Sequence, residues 1–119
     1  MKTFLHEGIC PIRDILSRLG DKWSLLVLTT LYSNGTMRFN DIQRSLGDIS
    51  QRMLTVTLRS LEADGLVHGE VYPEVAPRVE YRLTDSGGEL MAYLNRLVEW
   101  ALKSAPAILE RRAQAVRAK

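Results

Sequence analysis

Cysteine is scarce in this chain and long apolar runs are missing, and no leader segment is expected. One cysteine, Cys10, occurs among 119 residues, so no intrachain disulfide can form and a reducing compartment is expected. No apolar run approaches the roughly 20 residues that a membrane-spanning helix needs, and no apolar signal core follows Lys2. These absences predict a cytoplasmic protein without a membrane partner.

Residue patterns that carry catalysis or bind metals are also missing. The sequence contains no Gly-rich phosphate loop, nucleophile elbow or metal-protease motif. His6 and Cys10 are four residues apart, as two metal ligands on one helix would be. However, Gly8 and Pro11 break such a helix, and His68 alone does not supply enough further ligands to complete a metal site. We therefore expect no enzyme activity, no cofactor and no metal.

Length and composition are typical of one folded domain. The 119 residues are 45% hydrophobic and 25% charged, which predicts a single domain over residues 1–119. The net charge of +2 is unevenly placed. Residues 1–102 carry 11 Lys/Arg against 13 Asp/Glu, whereas the tail, residues 103–119, carries 5 against 1. A nucleic-acid-binding surface in the body would therefore need local clustering of arginines.

The first half of the chain has the signals of successive helices. The first helix opens at Pro11 and ends at Gly20, and Asp21 can cap a second. The apolar residues of the first helix share one face, which is predicted to be buried: Ile12, Ile15, Leu16 and Leu19. Residues 23–32 are apolar on most sides, which predicts a helix at the centre of the core.

Two short helices follow, separated by a few residues. After a very short strand at residues 37–39, Asn40 is expected to cap a third helix that Gly47 ends. Ser50 can cap a fourth helix, and Gly65 supplies its left-handed ending. The buried residues are expected to be Ile42 and Leu46 in the third helix and Leu54, Leu58 and Leu61 in the fourth. This pair of helices predicts a helix-turn-helix.

The pattern then changes from a helical to an extended period. One strand is expected at residues 66–72, and in a second strand Val79, Tyr81 and Leu83 alternate with polar residues. The connection contains two prolines and is too long for a tight hairpin, so a stiff projecting wing is predicted. We expect a mainly α fold with a small β-hairpin wing (α+β), a winged helix-turn-helix.

A last helix is predicted after the wing. Thr84 can cap it, it should reach about Ser104, and Pro106 should interrupt it before the basic tail. One face cannot hold all its apolar residues, so a homodimer through terminal helices is expected. The proposed interface residues are Leu90, Tyr93, Leu94, Leu97, Val98, Trp100 and Ala101. The alternative is that this helix packs only within its own subunit.

The fourth helix presents polar residues opposite its leucines, and such a face fits the major groove of double-stranded DNA. The candidate DNA-binding residues are Arg38, Asn40, Ser50, Gln51, Arg52, Thr55, Val56, Arg59 and Arg78. Arg52 and Arg59 could instead form an ordinary solvated face. For Arg78, in the wing, the alternative is an ion pair with Glu74 or Glu80.

Several segments together carry a family resemblance. They are Cys10-Pro11, Gly20-Asp21-Lys22-Trp23 with Leu25-Leu26, Arg38-Phe39-Asn40-Asp41-Ile42, Ile49-Ser50-Gln51-Arg52-Met53-Leu54-Thr55, Leu61-Glu62-Ala63-Asp64-Gly65-Leu66-Val67 and Pro77-Arg78-Val79-Glu80-Tyr81-Arg82-Leu83-Thr84, followed by Gly87. Over residues 10–102 the chain resembles the HxlR-type winged-helix regulators, relatives of the MarR type.

The resemblance implies a DNA-binding dimer that regulates nearby genes, with the fourth helix in the major groove and the wing alongside. We expect a repressor on a palindromic operator, and the alternative is a winged-helix protein-interaction module that binds no DNA. Similar members often carry two glutamines where this chain has Val56 and Thr57, and a proline in place of Ala76. The operator sequence therefore does not transfer from relatives.

Cys10 is a candidate redox sensor. It precedes Pro11 at a helix start, where the dipole lowers a thiol's pKa, and some similar regulators detect oxidants or electrophiles near this position. An oxidant or small-molecule effector would then act on this thiol. The alternative is an inert, half-buried thiol at a dimer interface.

Overall fold

A computed structural model describes residues 9–118 of the chain, with side chains from residue 13 onward. Eight elements follow one another in this part of the chain. They are α1 (Ile9–Gly20), α2 (Lys22–Asn34), β1 (Met37–Arg38), α3 (Phe39–Leu46), α4 (Gln51–Ala63), β2 (Val67–Tyr72), β3 (Arg78–Leu83) and α5 (Asp85–Ala118). They form two compact units, divided between Gly88 and Glu89.

Helix α2 is the centre of the first unit, as its apolar pattern predicted. It contacts α1, α3, α4 and β3, and it buries Val27, Leu28 and Leu31 almost completely. Asp21 caps it, because a carboxylate oxygen accepts hydrogen bonds from the backbone N–H of Ser24 at 3.1 Å and from its hydroxyl at 2.7 Å. The cap therefore also satisfies a buried hydroxyl.

The start of α3 differs from the prediction. The helix begins at Phe39, so Asn40 lies inside its first turn and is not the cap. Arg38 occupies the cap position without a side-chain hydrogen bond. The cause is tertiary, because Met37 and Arg38 pair with Tyr81 and Glu80 of β3 and the helix starts directly after this strand. Leu46 is half-buried, while Ile42 is buried as expected.

The face of α1 that was expected to be buried is open to solvent within this chain. Ile15 and Leu16 are 64% and 58% exposed, and Leu19 is half-buried. The prediction of a buried face was therefore wrong for Ile15 and Leu16, because no element within residues 9–118 covers these two side chains. Ile12 belongs to the same predicted face, but its side chain lies outside the described ones.

The hairpin wing is confirmed. Strands β2 and β3 pair antiparallel from Val67 opposite Leu83 to Tyr72 opposite Arg78, and β1 adds on the other side of β3. The residues between β2 and β3 form the projecting loop 73–77. Two prolines in this loop restrict its backbone.

Helix α5 runs continuously from Asp85 to Ala118, so the predicted interruption at Pro106 was wrong. Proline removes one backbone hydrogen bond and crowds the preceding turn, at a cost of about 3 kcal/mol inside a helix. The strong helix formers on both sides, among them five alanines in residues 105–118, allow the helix to continue past this position. No helix within residues 9–118 is long and apolar enough to cross a membrane.

Candidate functional site

Helix α4 has one buried and one exposed face, as the spacing of its leucines predicted. Leu54, Leu58 and Leu61 are at most 1% exposed and anchor the helix in the core. Ser50 caps it, because its Oγ accepts a hydrogen bond from the backbone N–H of Met53 at 3.0 Å. The outer face is exposed and comprises Gln51, Arg52, Val56 and Arg59. A firmly anchored helix therefore presents a polar, solvent-facing side.

A groove of about 520 Å³ lies between the start of α4, the start of α3 and the wing, which lines it from the loop to Tyr81. It brings five of the predicted site residues together: Arg38, Asn40, Gln51, Thr55 and Arg78. The other four, Ser50, Arg52, Val56 and Arg59, are on α4 or at its cap outside the groove lining. The sequence-predicted residues thus form one surface and one groove within the first unit.

The three exposed arginines of this surface have no acidic partner among the described side chains. Arg38, Arg52 and Arg59 form no ion pair within residues 13–118. Their charges face solvent. Thr55 differs, because its hydroxyl donates to the backbone carbonyl of Gln51 at 2.9 Å and is half-buried. Its hydroxyl oxygen can still accept a hydrogen bond.

Arg78 is held on several sides. Its Nε donates to Glu80 at 2.9 Å, its Nη1 forms an ion pair with Glu74, and its guanidinium lies 4.6 Å from the ring centre of Tyr72. The hydrogen bond to Glu80, followed by the one to Glu74, raises the pKa of Arg78. Both acids named in the alternative interpretation therefore bind this arginine at once.

Tyr81 is a groove residue that the sequence did not single out. Burial raises its pKa, the charge of Glu62 raises it further, and Arg59 lowers it. Its ring also packs against Gly69, where an added Cβ would lie 3.0 Å from a ring carbon. Phe39, Ala76, Pro77 and Val79 complete the lining. The alternation of the strand predicts that Tyr81 and Val79 lie on the same face of β3. That this face lines the groove follows from the pairing of β1 with β3 and not from the local sequence.

The predicted dimer residues lie on α5 in the second unit. Leu97 and Trp100 are 56% and 57% exposed, and Tyr93 and Val98 are also exposed. Ala101 is exposed as well, while Leu90 and Leu94 are half-buried. Within the described part of the chain, this stretch of the helix therefore has several exposed apolar side chains.

Two further residues discussed from the sequence, Cys10 and His6, are described only in part or not at all. Cys10 belongs to the first turn of α1, but its side chain is not among the described ones, and His6 precedes the described residues. Within residues 9–118, no group of three or more His, Cys, Asp or Glu residues could hold a metal ion.

Two helices joined by a tight turn, with a hairpin beside the second helix, define a winged helix-turn-helix protein. The chain belongs to the HxlR-like helix-turn-helix family, whose sequence profile matches residues 18–108. Over 94 residues it is 49% identical to an uncharacterised HTH-type transcriptional regulator of Methanothermobacter thermautotrophicus. This match covers 79% of the present chain and 71% of the relative.

Two solved structures are similar in fold and sequence. The reduced form of the transcriptional regulator YodB from B. subtilis has a TM-score of 0.69 and 34% identity, and the match covers 77% of this chain and 89% of that one. The redox regulator HypR in its reduced form has a TM-score of 0.74 and 40% identity, with 82% of this chain and 96% of that one covered. The relatives of this chain are thus transcriptional regulators.

Proposed function

We propose that this protein is a sequence-specific DNA-binding transcriptional regulator that acts as a homodimer. The observation that carries the proposal is the division of α4 into a buried leucine face and an exposed face with Arg52 and Arg59, beside a groove that Arg38 and Arg78 line. An α-helix of this kind fits the major groove of B-DNA. The family membership of the chain supports the same conclusion.

The side chains of α4 suit direct reading of bases. Arginine donates two hydrogen bonds to guanine, glutamine pairs with adenine, and an apolar side chain contacts the methyl group of thymine. Arg52, Gln51 and Val56 would take these roles on the outer face. Arg38 and the backbone N–H groups that follow Ser50 would bind phosphates, which fix the position of the helix but carry no sequence information.

A second copy of the chain would cover the exposed apolar residues of α5 and present two copies of α4 to the DNA. A two-fold dimer places its reading helices on half-sites about one helical turn, roughly 34 Å, apart. The operator would therefore be palindromic, and a dimer bound across a promoter would exclude polymerase and act as a repressor. Leu97 and Trp100 are two of the large apolar residues of α5 that are more than half exposed and would gain from such a partner.

The test is binding to the DNA upstream of the gene that encodes the chain and of its neighbours. We expect a complex whose affinity falls steeply with salt, and replacing Arg52 or Arg59 by Ala should cost about 1–3 kcal/mol per lost base contact. Arg13→Ala is the matched control, since Arg13 is an exposed arginine on α1 outside the proposed surface. Fluorescence anisotropy and footprinting measure both effects.

The contrasting function is a protein-interaction module. It predicts no salt-sensitive binding to any of these fragments, and it predicts that the Arg52 and Arg59 variants behave like the Arg13 variant. Either result would remove the DNA-binding proposal.

Redox control through Cys10 is proposed as the regulation of this binding. It is supported by the position of Cys10 in the first turn of α1 and by the 40% identity to HypR, a redox regulator. With one thiol per chain, an oxidant such as diamide would take up two electrons and two protons while Cys10 forms a disulfide, either with Cys10 of a second subunit or with a small-molecule thiol. Diamide should change the operator affinity of the wild type but not of Cys10→Ser, and equal responses of both proteins would contradict the proposal.

A further inference from the structure

The wing carries more acidic than basic charge, although the proposed function places it beside a polyanion. Residues 67–83 contain two arginines, Arg78 and Arg82, against three glutamates, so their formal charge is −1 with His68 neutral. Because phosphates repel carboxylates, a wing of this composition should weaken DNA binding unless some of its glutamates are paired with other groups. Two of the three glutamates, Glu74 and Glu80, are paired with Arg78.

The two carboxylates that bind Arg78 differ in their surroundings. Glu80 lies on β3 with its side chain 23% exposed, and it accepts the Nε hydrogen bond. Glu74 lies in the projecting loop with its side chain 52% exposed, and it pairs with Nη1. The arginine itself is 28% exposed and is further fixed by the Tyr72 ring. Glu80 is therefore the more buried partner, fixed on β3, whereas Glu74 is the partner in the loop that solvent and ligands can reach.

We propose that Glu74 is an exchangeable counter-ion that occupies Arg78 until a correctly seated DNA phosphate replaces it, and that it thereby lowers the affinity of the protein for DNA. Glu80 and Tyr72 would hold the guanidinium in place during the exchange. This inference rests on the proposed DNA-binding function and deepens it. It assigns the pair of acids around Arg78 to two different roles.

The physical reason is that non-specific binding to DNA is almost entirely electrostatic. An arginine that is already neutralised contributes little to such binding, and the nearby carboxylate repels the backbone. The exposed ion pair itself is weak, so the additional base contacts of a cognate site can offset its loss. Glu74 would thus lower the affinity for both kinds of site. The operator complex bears the full cost of breaking the pair, because only there does a phosphate replace Glu74.

The experiment compares Glu74→Gln with the wild type on a random-sequence duplex of about 30 base pairs, long enough for two half-sites one turn apart. We expect the variant to bind this duplex about three- to tenfold more tightly, because a repelling charge is lost and Arg78 is freed. Binding to the operator should tighten by at least as much, because only there is the Glu74–Arg78 pair broken in the wild type, so the ratio of specific to non-specific affinity should not fall. Anisotropy titrations at several salt concentrations measure both.

Glu70→Gln is the matched control. It removes the same charge from β2, but Glu70 contacts His68 at 2.7 Å and forms no hydrogen bond with Arg78. It should change non-specific affinity by less than about twofold, because a more distant surface charge is screened by salt. In an Arg78→Ala background, Glu74→Gln should lose most of its effect. Thermal unfolding of each variant checks that the wing remains folded, and Glu74→Ser is a second variant at the same position.

Three outcomes would overturn the inference: equal effects of the Glu74 and Glu70 variants, an undiminished effect without Arg78, or weaker binding by Glu74→Gln. If these occur while Arg52→Ala still weakens operator binding, only the role of Glu74 fails. If the wild type binds neither duplex, the proposed function fails and this inference fails with it.

Discussion

Gly87 lies in the first turn of α5 at a close junction with the end of the α4–β2 connection. The hydroxyl of Thr84 donates to the carbonyl of Gly65 at 2.6 Å and accepts from the N–H of Gly87 at 3.0 Å. A Cβ atom at Gly87 would lie 2.1 Å from the carbonyl oxygen of Leu66, and this neighbour is backbone. Glycine is therefore required here by space and not by backbone torsion.

The first prediction is that Gly87→Ala destabilises the protein. The backbone must shift to accept the methyl group, so the free energy of unfolding should fall by about 1–3 kcal/mol. Gly88→Ala is the control, because a Cβ there meets nothing within 4 Å and alanine favours helix. Urea unfolding measures both. A Gly87 variant as stable as the wild type would contradict the close approach.

Single residues with local chemistry were the most predictable part of the fold. Asp21, Ser50 and Thr84 each accept a backbone hydrogen bond at a helix start, as expected, because a cap depends only on the next few residues. Asn40 failed as a cap because a two-residue strand, too short to show a period, sets the start of α3. Long-range pairing of this kind leaves no local signal.

At the scale of elements, the Asp21 cap connects the start of α2 to the core. The carboxylate is the partner of both the N–H and the hydroxyl of Ser24, whose residue is 1% exposed. Losing it leaves a buried hydroxyl without its acceptor. This is more costly than losing a solvent-exposed cap.

The second prediction is that Asp21→Ala lowers the free energy of unfolding by about 1–3 kcal/mol. Asp21→Asn retains an oxygen acceptor at the same position and should lose less than about 1 kcal/mol. Equilibrium unfolding in urea distinguishes them, together with amide exchange over residues 22–26. Equal losses in the two variants would show that charge, and not the acceptor, stabilises this helix start.

Periodicity predicted the helices and strands, but it predicted only in part which of their faces are buried. The leucine face of α4 is buried as expected, yet the similar stripe on α1 leaves Ile15 and Leu16 exposed. The spacing of apolar residues predicts that a helix face is buried. It does not show whether the same chain or a second molecule buries it. The same holds for the candidate site. The period of α4 predicted which of its residues are exposed, whereas Tyr81 lines the groove through sheet pairing, which leaves no local signal.

At the scale of the whole molecule, the exposed apolar residues of α5 give the third prediction. Replacing both Leu97 and Trp100 by Glu places charges where a dimer would bury apolar surface. The sedimenting species should change from two chains to one, and operator affinity should fall because only one reading helix is then available. Analytical ultracentrifugation and anisotropy measure the two effects.

Asn95→Glu is the control for this prediction, since it adds a negative charge to the same helix at an exposed polar position. It should leave the mass unchanged. A wild type that sediments as one chain, or a double variant that stays paired, would contradict the dimer.

The two-sided construction of α4 also bears on how such proteins diverge. Stability rests on Leu54, Leu58 and Leu61, while recognition is assigned to side chains that point away from them. Substitutions at Gln51, Val56 or Arg59 can therefore accumulate after gene duplication with little thermodynamic penalty, since surface changes usually alter stability by under about 0.5 kcal/mol. Under the proposed function, new operator preferences would then be accessible in single steps on an unchanged scaffold.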